Sequence, residues 1–171
     1  MKALVLGSGG REQAIAWKIA KSPLVSEVII APGNAGSFPK TRNTDLDIND
    51  ADAVADFLTK ESVELLVVGP EQPLVGGLVD ELLTRPELSG LHIVGPTREA
   101  AQMEGSKDFA KAFMQRHGIP TAKYRSFTSD EREAALDYLR NEERAPYVLK
   151  ADGLAAGKGV LICQTLEEAE E

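Results

Sequence analysis

Short apolar runs that stop at glycine or proline and lead into a helical stripe constrain this chain more than any other feature. Residues 2–6 (KALVL) end at Gly7-Ser8-Gly9-Gly10, after which Ala14, Ile15, Trp17, Ile19 and Ala20 supply one apolar side of a helix. Residues 25–30 form the next run, stopped by Ala31-Pro32-Gly33-Asn34-Ala35-Gly36. Asn49 is placed to cap a helix carrying Val54, Phe57 and Leu58 on one side. Residues 64–68 then run into Gly69-Pro70-Glu71-Gln72-Pro73, residues 74–83 read as a helix with Leu78, Leu82 and Leu83 inward, and residues 91–94 close at Gly95-Pro96. The strands are apolar throughout rather than alternating. A parallel sheet with helices on both faces, a Rossmann-like α/β domain, follows over residues 1–100.

The pattern changes after about residue 97. Residues 101–120 read as linking helices, the second spanning 106–117 with Phe109, Ala112, Phe113 and Arg116 on one face and ending at Gly118 and Pro120. An α+β layer should occupy 121–171: a strand at 122–127, a helix opened by Thr128-x-x-Glu131, strands at 147–150 and 159–163, and a helix start at Thr165-x-x-Glu168. That last helix has hardly begun at Glu171, which predicts that the sequence is a piece of a longer protein.

Composition removes several classes of function. With 43% hydrophobic and 27% charged residues over 171 positions the chain can bury a core. Its net charge of -8 opposes a nucleic-acid partner. One cysteine, Cys163, excludes an internal disulfide and fits a reducing, cytoplasmic setting, where it reads as a small core residue. No apolar stretch approaches the roughly 18 residues of a membrane span. His92 and His117 are too few and too far apart for a zinc site and read as structural, as does Trp17 on the first helix.

Three turns fall on the carboxyl edge of the inferred sheet, where open α/β sheets bind ligands. Gly9 and Gly10 open a helix whose N-H groups suit an anion, but the dinucleotide fingerprint fails because Glu12 stands where its third glycine belongs. A phosphate site and a purely structural turn both remain open. Glu12 suits the helix dipole; Arg11 opposes it, which leaves a ligand-facing and a structural role equally open. Gly33, Asn34, Ala35 and Gly36, and Pro70 with Glu71, complete the rim, Gly36 permitting close approach to a partner. The segment K150-ADGLAAGKGV-160 departs from the Walker loop, with three residues between Gly153 and Gly157 and with Gly159 in place of the Ser or Thr. A glycine turn between two strands, with Lys158 in it and Lys150 before it, is another way to hold a polyphosphate, the alternative being a loose hairpin.

The segments KALVLGSGGREQAIAWKIAKSP, APGNAG, VVGPEQPLVGGLVD, EGSKDFAKAFMQRHGIPTA and YVLKADGLAAGKGV, in this order, resemble the phosphoribosylamine-glycine ligase (glycinamide ribonucleotide synthetase) family of the ATP-grasp superfamily. The resemblance implies ligation of glycine to 5-phosphoribosylamine with conversion of ATP to ADP and phosphate, through a glycyl phosphate, in purine biosynthesis. It implies that Lys107 and Lys150 face ATP phosphates and that the 153–159 loop, with Gly153, Gly157, Lys158 and Gly159, closes over them, Lys150 and Lys158 serving catalysis. Gly9, Gly10, Arg11, Glu12, Gly33, Asn34, Ala35, Gly36, Pro70 and Glu71 would line the phosphoribosylamine side. Mg2+ or Mn2+ would be held by residues beyond 171, none of the present residues being assigned to metal. The protein would be a monomer, or fused to other purine-pathway domains in some relatives. Another ATP-grasp carboxylate-amine ligase and a non-catalytic nucleotide-binding module are the competing readings.

Overall fold

The computed structural model describes residues 1–155 and 157–171, and these form two compact units, Met1–Gln102 and Met103–Glu171. In the first unit, β1 (Lys2–Gly7), α1 (Gly10–Ala20), β2 (Glu27–Pro32), β3 (Thr41–Asn43), α2 (Ala51–Glu61), β4 (Leu65–Val68), α3 (Glu71–Gly76), α4 (Leu78–Leu83) and β5 (His92–Val94) follow in order, and α5 (Arg98–Gly105) runs into the second. The sheet is parallel throughout, ordered β3-β2-β1-β4-β5. Its register explains why the strands carry no polar side. Ala3, Val5, Val28, Ile30 and Val67 face Ala16 and Ala20 of α1, whereas Leu4, Leu6, Ile29, Leu66 and Val68 face Val54 and Leu58 of α2 and Leu78 and Leu82 of α4. Both faces are buried, as an apolar parallel sheet requires.

Chain direction reverses at β1. From β1 the chain steps outward through β2 to β3, then crosses by α2 to β4 on the other side, so the carboxyl ends of β1 and β4 flank the switch point where such sheets leave a crevice. β3 was invisible to hydrophobic periodicity, being three polar residues, Thr41, Arg42 and Asn43. What holds it is pairing with β2 together with Arg42, which bonds Glu27 at 2.8 Å and Glu61 at 2.6 Å.

Several expectations need correction. Asp50, not Asn49, caps α2, its Oδ1 accepting from the N-H groups of Asp52 and Ala53. The helix expected at 74–83 is two, broken at Gly77 (φ +94°), because the Arg98 guanidinium lies where a side chain would be and donates to the Gly76 carbonyl. Leu83 is exposed rather than inward, and Trp17 stands 42% exposed with the Lys21 ammonium 3.6 Å from its ring centre.

In the second unit, α6 (Lys107–Arg116) is capped by Ser106 and ends at Gly118 in the left-handed region (φ +63°). Residues 122–127 form no strand. They are pinned by side chains instead of a ladder: Lys111 donates to Thr121 Oγ1 and to the Ala122 carbonyl, and Ser126 bonds Asp108. A 3-10 turn (Ser129–Glu131) with the expected Thr128/Glu131 box precedes α7 (Arg132–Asn141), followed by the antiparallel pair β6 (Tyr147–Lys150) and β7 (Val160–Cys163) and by α8 (Leu166–Glu170), capped by Thr165. Cys163 is buried, as a small core residue should be, while His92 and His117 are exposed. No helix among the described residues is long and apolar enough to cross a membrane.

Leu66 is fully buried between two strands and two helices. Leu66→Ala should cost about 2 to 5 kcal/mol. Urea unfolding followed by circular dichroism will show this as a lower midpoint.

Candidate functional site

At the switch point the turn after β1 is built around one carboxylate. Glu12, in the first turn of α1, is only 4% exposed. Its Oε2 accepts the Gly9 N-H at 2.8 Å and its Oε1 accepts from Arg11 Nε at 2.6 Å. Three glycines make room for it. A Cβ at Gly7 or Gly69 would collide with Glu12 Cγ, and one at Gly9 would stand 2.8 Å from Oε2. The glycine spacing that suggested an anion cradle thus encloses an anion of the protein's own, Glu12, which caps the turn from a buried position at the rim.

Arg11 bridges outward from it. Its Nη1 meets Glu71 Oε1 at 3.0 Å, joining the helix after β1 to the one after β4, and its side chain is 54% exposed. The hydrogen bond from Arg11 is the main reason the Glu71 carboxyl lies below its ordinary range. Arg11 therefore presents an ordered cation edge to solvent, with the cost of its opposed helix dipole offset by two carboxylates.

The third turn, residues 33–36, is tied to the first. Asn34 Nδ2 donates to the Ser8 carbonyl at 3.1 Å, Gly36 N-H returns to Asn34 Oδ1 at 2.8 Å, and Asn43 Nδ2 donates to the Asn34 carbonyl. Gly33 takes φ +78° against the Asn43 side chain. Gly36 allows a close approach, but to Gln13 of α1 rather than to a partner outside the chain. The three turns expected on one rim are thus linked: 34 to 8, 11 to 71. Asn43 and Gln13 escaped the sequence reading because neither belongs to a glycine turn.

In the second unit the glycine-rich segment joins β6 to β7, with Gly153, Gly157 and Gly159 all at positive φ. Ala156, which falls inside it, lies outside the described residues. Asp152 at its root clamps α6: it accepts from Ser106 Oγ at 3.0 Å, from the Lys107 N-H at 2.6 Å and from the Asp108 N-H at 3.3 Å. Burial pushes the Asp152 carboxyl up, but bonds from Ser106 and from the N-H groups of Asp108, Gly153 and Lys107 outweigh it and hold the group below its usual range. The Lys107 ammonium donates to the Gly153 carbonyl at 2.8 Å. Neither Lys150 nor Lys158 has a side-chain partner among the described residues. Among the described residues nothing lies within 4 Å of where a Cβ at Gly153 or Gly157 would stand, and the positive φ of each is one that glycine adopts readily. Asp152 and Ser106 were not read as site residues; the Ser that precedes α6 at capping distance was the available signal.

Comparison with known proteins follows these two sites. Residues 1–104 match the family described as phosphoribosylglycinamide synthetase, N domain, and residues 105–171 match phosphoribosylglycinamide synthetase, ATP-grasp (A) domain. The chain belongs to the phosphoribosylglycinamide synthetase family. It is 56% identical over 172 aligned residues to the phosphoribosylamine–glycine ligase of Escherichia coli K12, covering 99% of this chain, and 57% identical over 173 to that of Xanthomonas campestris, covering all of it. It spans 38% of the length of each of these relatives. Among solved structures, the biotin carboxylase of Campylobacter jejuni (TM-score 0.69, 17% identity, 98% of this chain and 39% of that one) has the same fold. So does the biotin carboxylase domain of Hydrogenobacter thermophilus 2-oxoglutarate carboxylase (0.67, 18%, 98% and 38%). At such identities they establish the fold alone: a Rossmann-like domain followed by an ATP-grasp region.

Two outcomes are expected from the geometry. Gly69→Ala should displace Glu12 and cost about 1 to 3 kcal/mol, the usual penalty of overpacking, seen as a lower unfolding midpoint than Gly76→Ala, where nothing lies within 4 Å. Asp152→Ala should lose about 1 kcal/mol, as a lost helix cap does. Because the Asp152 pKa is lowered in the folded chain, its contribution is fully present above the ordinary carboxylate pKa and disappears as pH falls through the folded value. The difference in thermal midpoint between wild type and Asp152→Ala should therefore be present at pH 7 and shrink below about pH 4.

Proposed function

We propose that the chain forms the sugar-phosphate-binding domain and the start of the ATP-binding region of an ATP-dependent ligase that joins glycine to 5-phosphoribosylamine. The observation that carries this reading is identity above 55% to phosphoribosylamine–glycine ligases across essentially the whole chain, through both the rim of the first unit and the glycine hairpin of the second. The chemistry of the two sites agrees in kind. One offers a half-exposed guanidinium at a sheet switch point, the other two ammonium groups, unpaired among the described residues, beside a glycine turn.

In the proposed reaction a glycine carboxylate oxygen attacks the γ-phosphorus of ATP and the bond to the ADP oxygen breaks, leaving glycyl phosphate. The 5-phosphoribosylamine nitrogen then attacks the acyl carbon, the bond from that carbon to the bridging oxygen breaks so that phosphate leaves with the oxygen and the electron pair, and the nitrogen loses a proton to give glycinamide ribonucleotide. Activation is needed because a free carboxylate is a poor electrophile. Lys150, fixed by a strand, and Lys158, on the turn, would offset charge on the transferring phosphoryl group, and Lys107, moored to Gly153, would hold the hairpin's root beside them. No side-chain nucleophile is required. Among the described residues no group of three or more His, Cys, Asp or Glu could hold a metal ion, and no step is assigned to one. Arg11, with Glu71 behind it, would meet the phosphate of the sugar substrate.

Kinetics on an enzyme of the relatives' full length carrying this chain test the assignment. Lys150→Ala should lower kcat/KM for ATP by roughly 10- to 150-fold, the equivalent of one charge-assisted hydrogen bond of about 1.5 to 3 kcal/mol, and leave KM for 5-phosphoribosylamine unchanged. Arg11→Ala should do the opposite. Exchange of these two effects would reverse the two sites, and ADP release that follows some other acid or amine in a substrate panel would replace the proposed substrates.

A further inference from the structure

Gln13, a polar side chain of the first rim, has no hydrogen-bond partner among the described residues. Gln13 follows Glu12 on α1, and both its Nε2 and its Oε1 are buried without a hydrogen-bond partner. The group lies under the 33–36 turn, whose Gly36 is so close to Nε2 that no side chain could stand there. Asn34 Oδ1, also beside Gly36, receives the Gly36 N-H and no bond from Gln13. A buried amide left in this way bears its whole desolvation cost, and native proteins retain few such groups.

We propose that Gln13 is a specificity residue of the rim that reads a hydroxyl of the bound sugar phosphate, the 33–36 turn lying over the amide until the ligand is there. This inference rests on the sugar-phosphate reading of the rim. The choice of ligand group follows from what an amide requires. A phosphate only accepts and would leave Oε1 unpaired; an ammonium only donates and would leave Nε2 unpaired. A ribose diol offers donors and acceptors together, and so can satisfy both ends of one neutral amide. The division of labour is then chemical: Arg11 supplies charge for the phosphate, and Gln13, two residues on, supplies neutral recognition for the sugar. The position of the turn also fits. It is held by side-chain amide bonds from Asn34 and Asn43 and by its own backbone, not by packed apolar groups, so it can shift at the expense of a few exposed hydrogen bonds.

The test uses an enzyme of the relatives' full length carrying this chain, wild type and Gln13→Leu, with Gln13→Met as a second variant of similar volume in case Leu packs poorly. Thermal midpoints are measured without ligand, and binding of ribose 5-phosphate and of inorganic phosphate is measured by calorimetry. Because an unpaired amide is being replaced by an apolar group, the midpoint should stay the same or rise in at least one variant. Affinity for ribose 5-phosphate should fall about 3- to 10-fold in both, with inorganic phosphate unaffected. A midpoint several degrees lower in both variants would mean that the protein itself satisfies the amide, and would overturn the proposal. So would unchanged affinity for ribose 5-phosphate, or equal loss for both ligands. If the wild type binds no ribose 5-phosphate, the sugar-phosphate reading of the rim fails and this inference with it; if the wild type binds and the variants bind equally well, only the role of Gln13 fails.

Discussion

Everything at the edge of the sheet depends on burying the Glu12 carboxylate. A charged group at 4% exposure is tolerable only when its oxygens are paired, and here a backbone N-H and a guanidinium do it. The consequences spread outward. Gly7, Gly9 and Gly69 must lack side chains, which fixes how the chain leaves β1 and β4. Arg11 must turn toward Glu12 on one side and Glu71 on the other, which sets its guanidinium at the switch point in one orientation. An exposed Arg without those carboxylates would spread over many rotamers and lose more entropy on binding.

The second unit repeats the device with different residues. Asp152 takes the free N-H groups at the start of α6, the very donors that a helix N-terminus would offer to a phosphate. In the proposed reading, that leaves ammonium groups and hairpin backbone, rather than the start of α6, to meet phosphate. The same clamp brings the ends of a long sequence separation together, since Ser106 and Asp152 lie 46 residues apart. Lys107 adds a second tie through Gly153, so the root of the glycine segment is fixed from two sides while Gly157 and Gly159 remain at conformations only glycine adopts readily.

These clamps mark the limit of what the sequence discloses. Apolar runs over 2–6 and 64–68, glycine turns and capping pairs such as Thr128 with Glu131 carry local signals, and the fold they imply is the one found. β3 carried none: Thr41, Arg42 and Asn43 are extended because β2 offers a ladder and Glu27 and Glu61 pair with Arg42, facts of the tertiary structure. Residues 122–127 failed in the opposite sense, having strand-like composition but, in place of a ladder, side-chain ties to α6. At the sites, residue type was legible and partnership was not. That Glu12 would fill the glycine cradle, or that Asp152 would occupy α6, requires knowing which turns meet.

Partnership also bears on how a chain of net charge -8 could meet the anionic ligands proposed for it. Screening confines a charge's influence to about 8 Å at physiological salt, so the local balance matters more than the total. Many acidic groups are already committed: Glu12 and Glu71 to Arg11, Glu27 and Glu61 to Lys2 and Arg42, Glu170 to Arg140, Asp152 to hydroxyl and N-H donors. Glu27, Glu61 and Glu170 are balanced by cations where they sit, whereas Glu12 and Glu71 share one guanidinium and Asp152 meets only neutral donors. Lys150 and Lys158 carry no such pairing among the described residues, and that local surplus, rather than any overall basicity, is what a polyphosphate would meet at the hairpin.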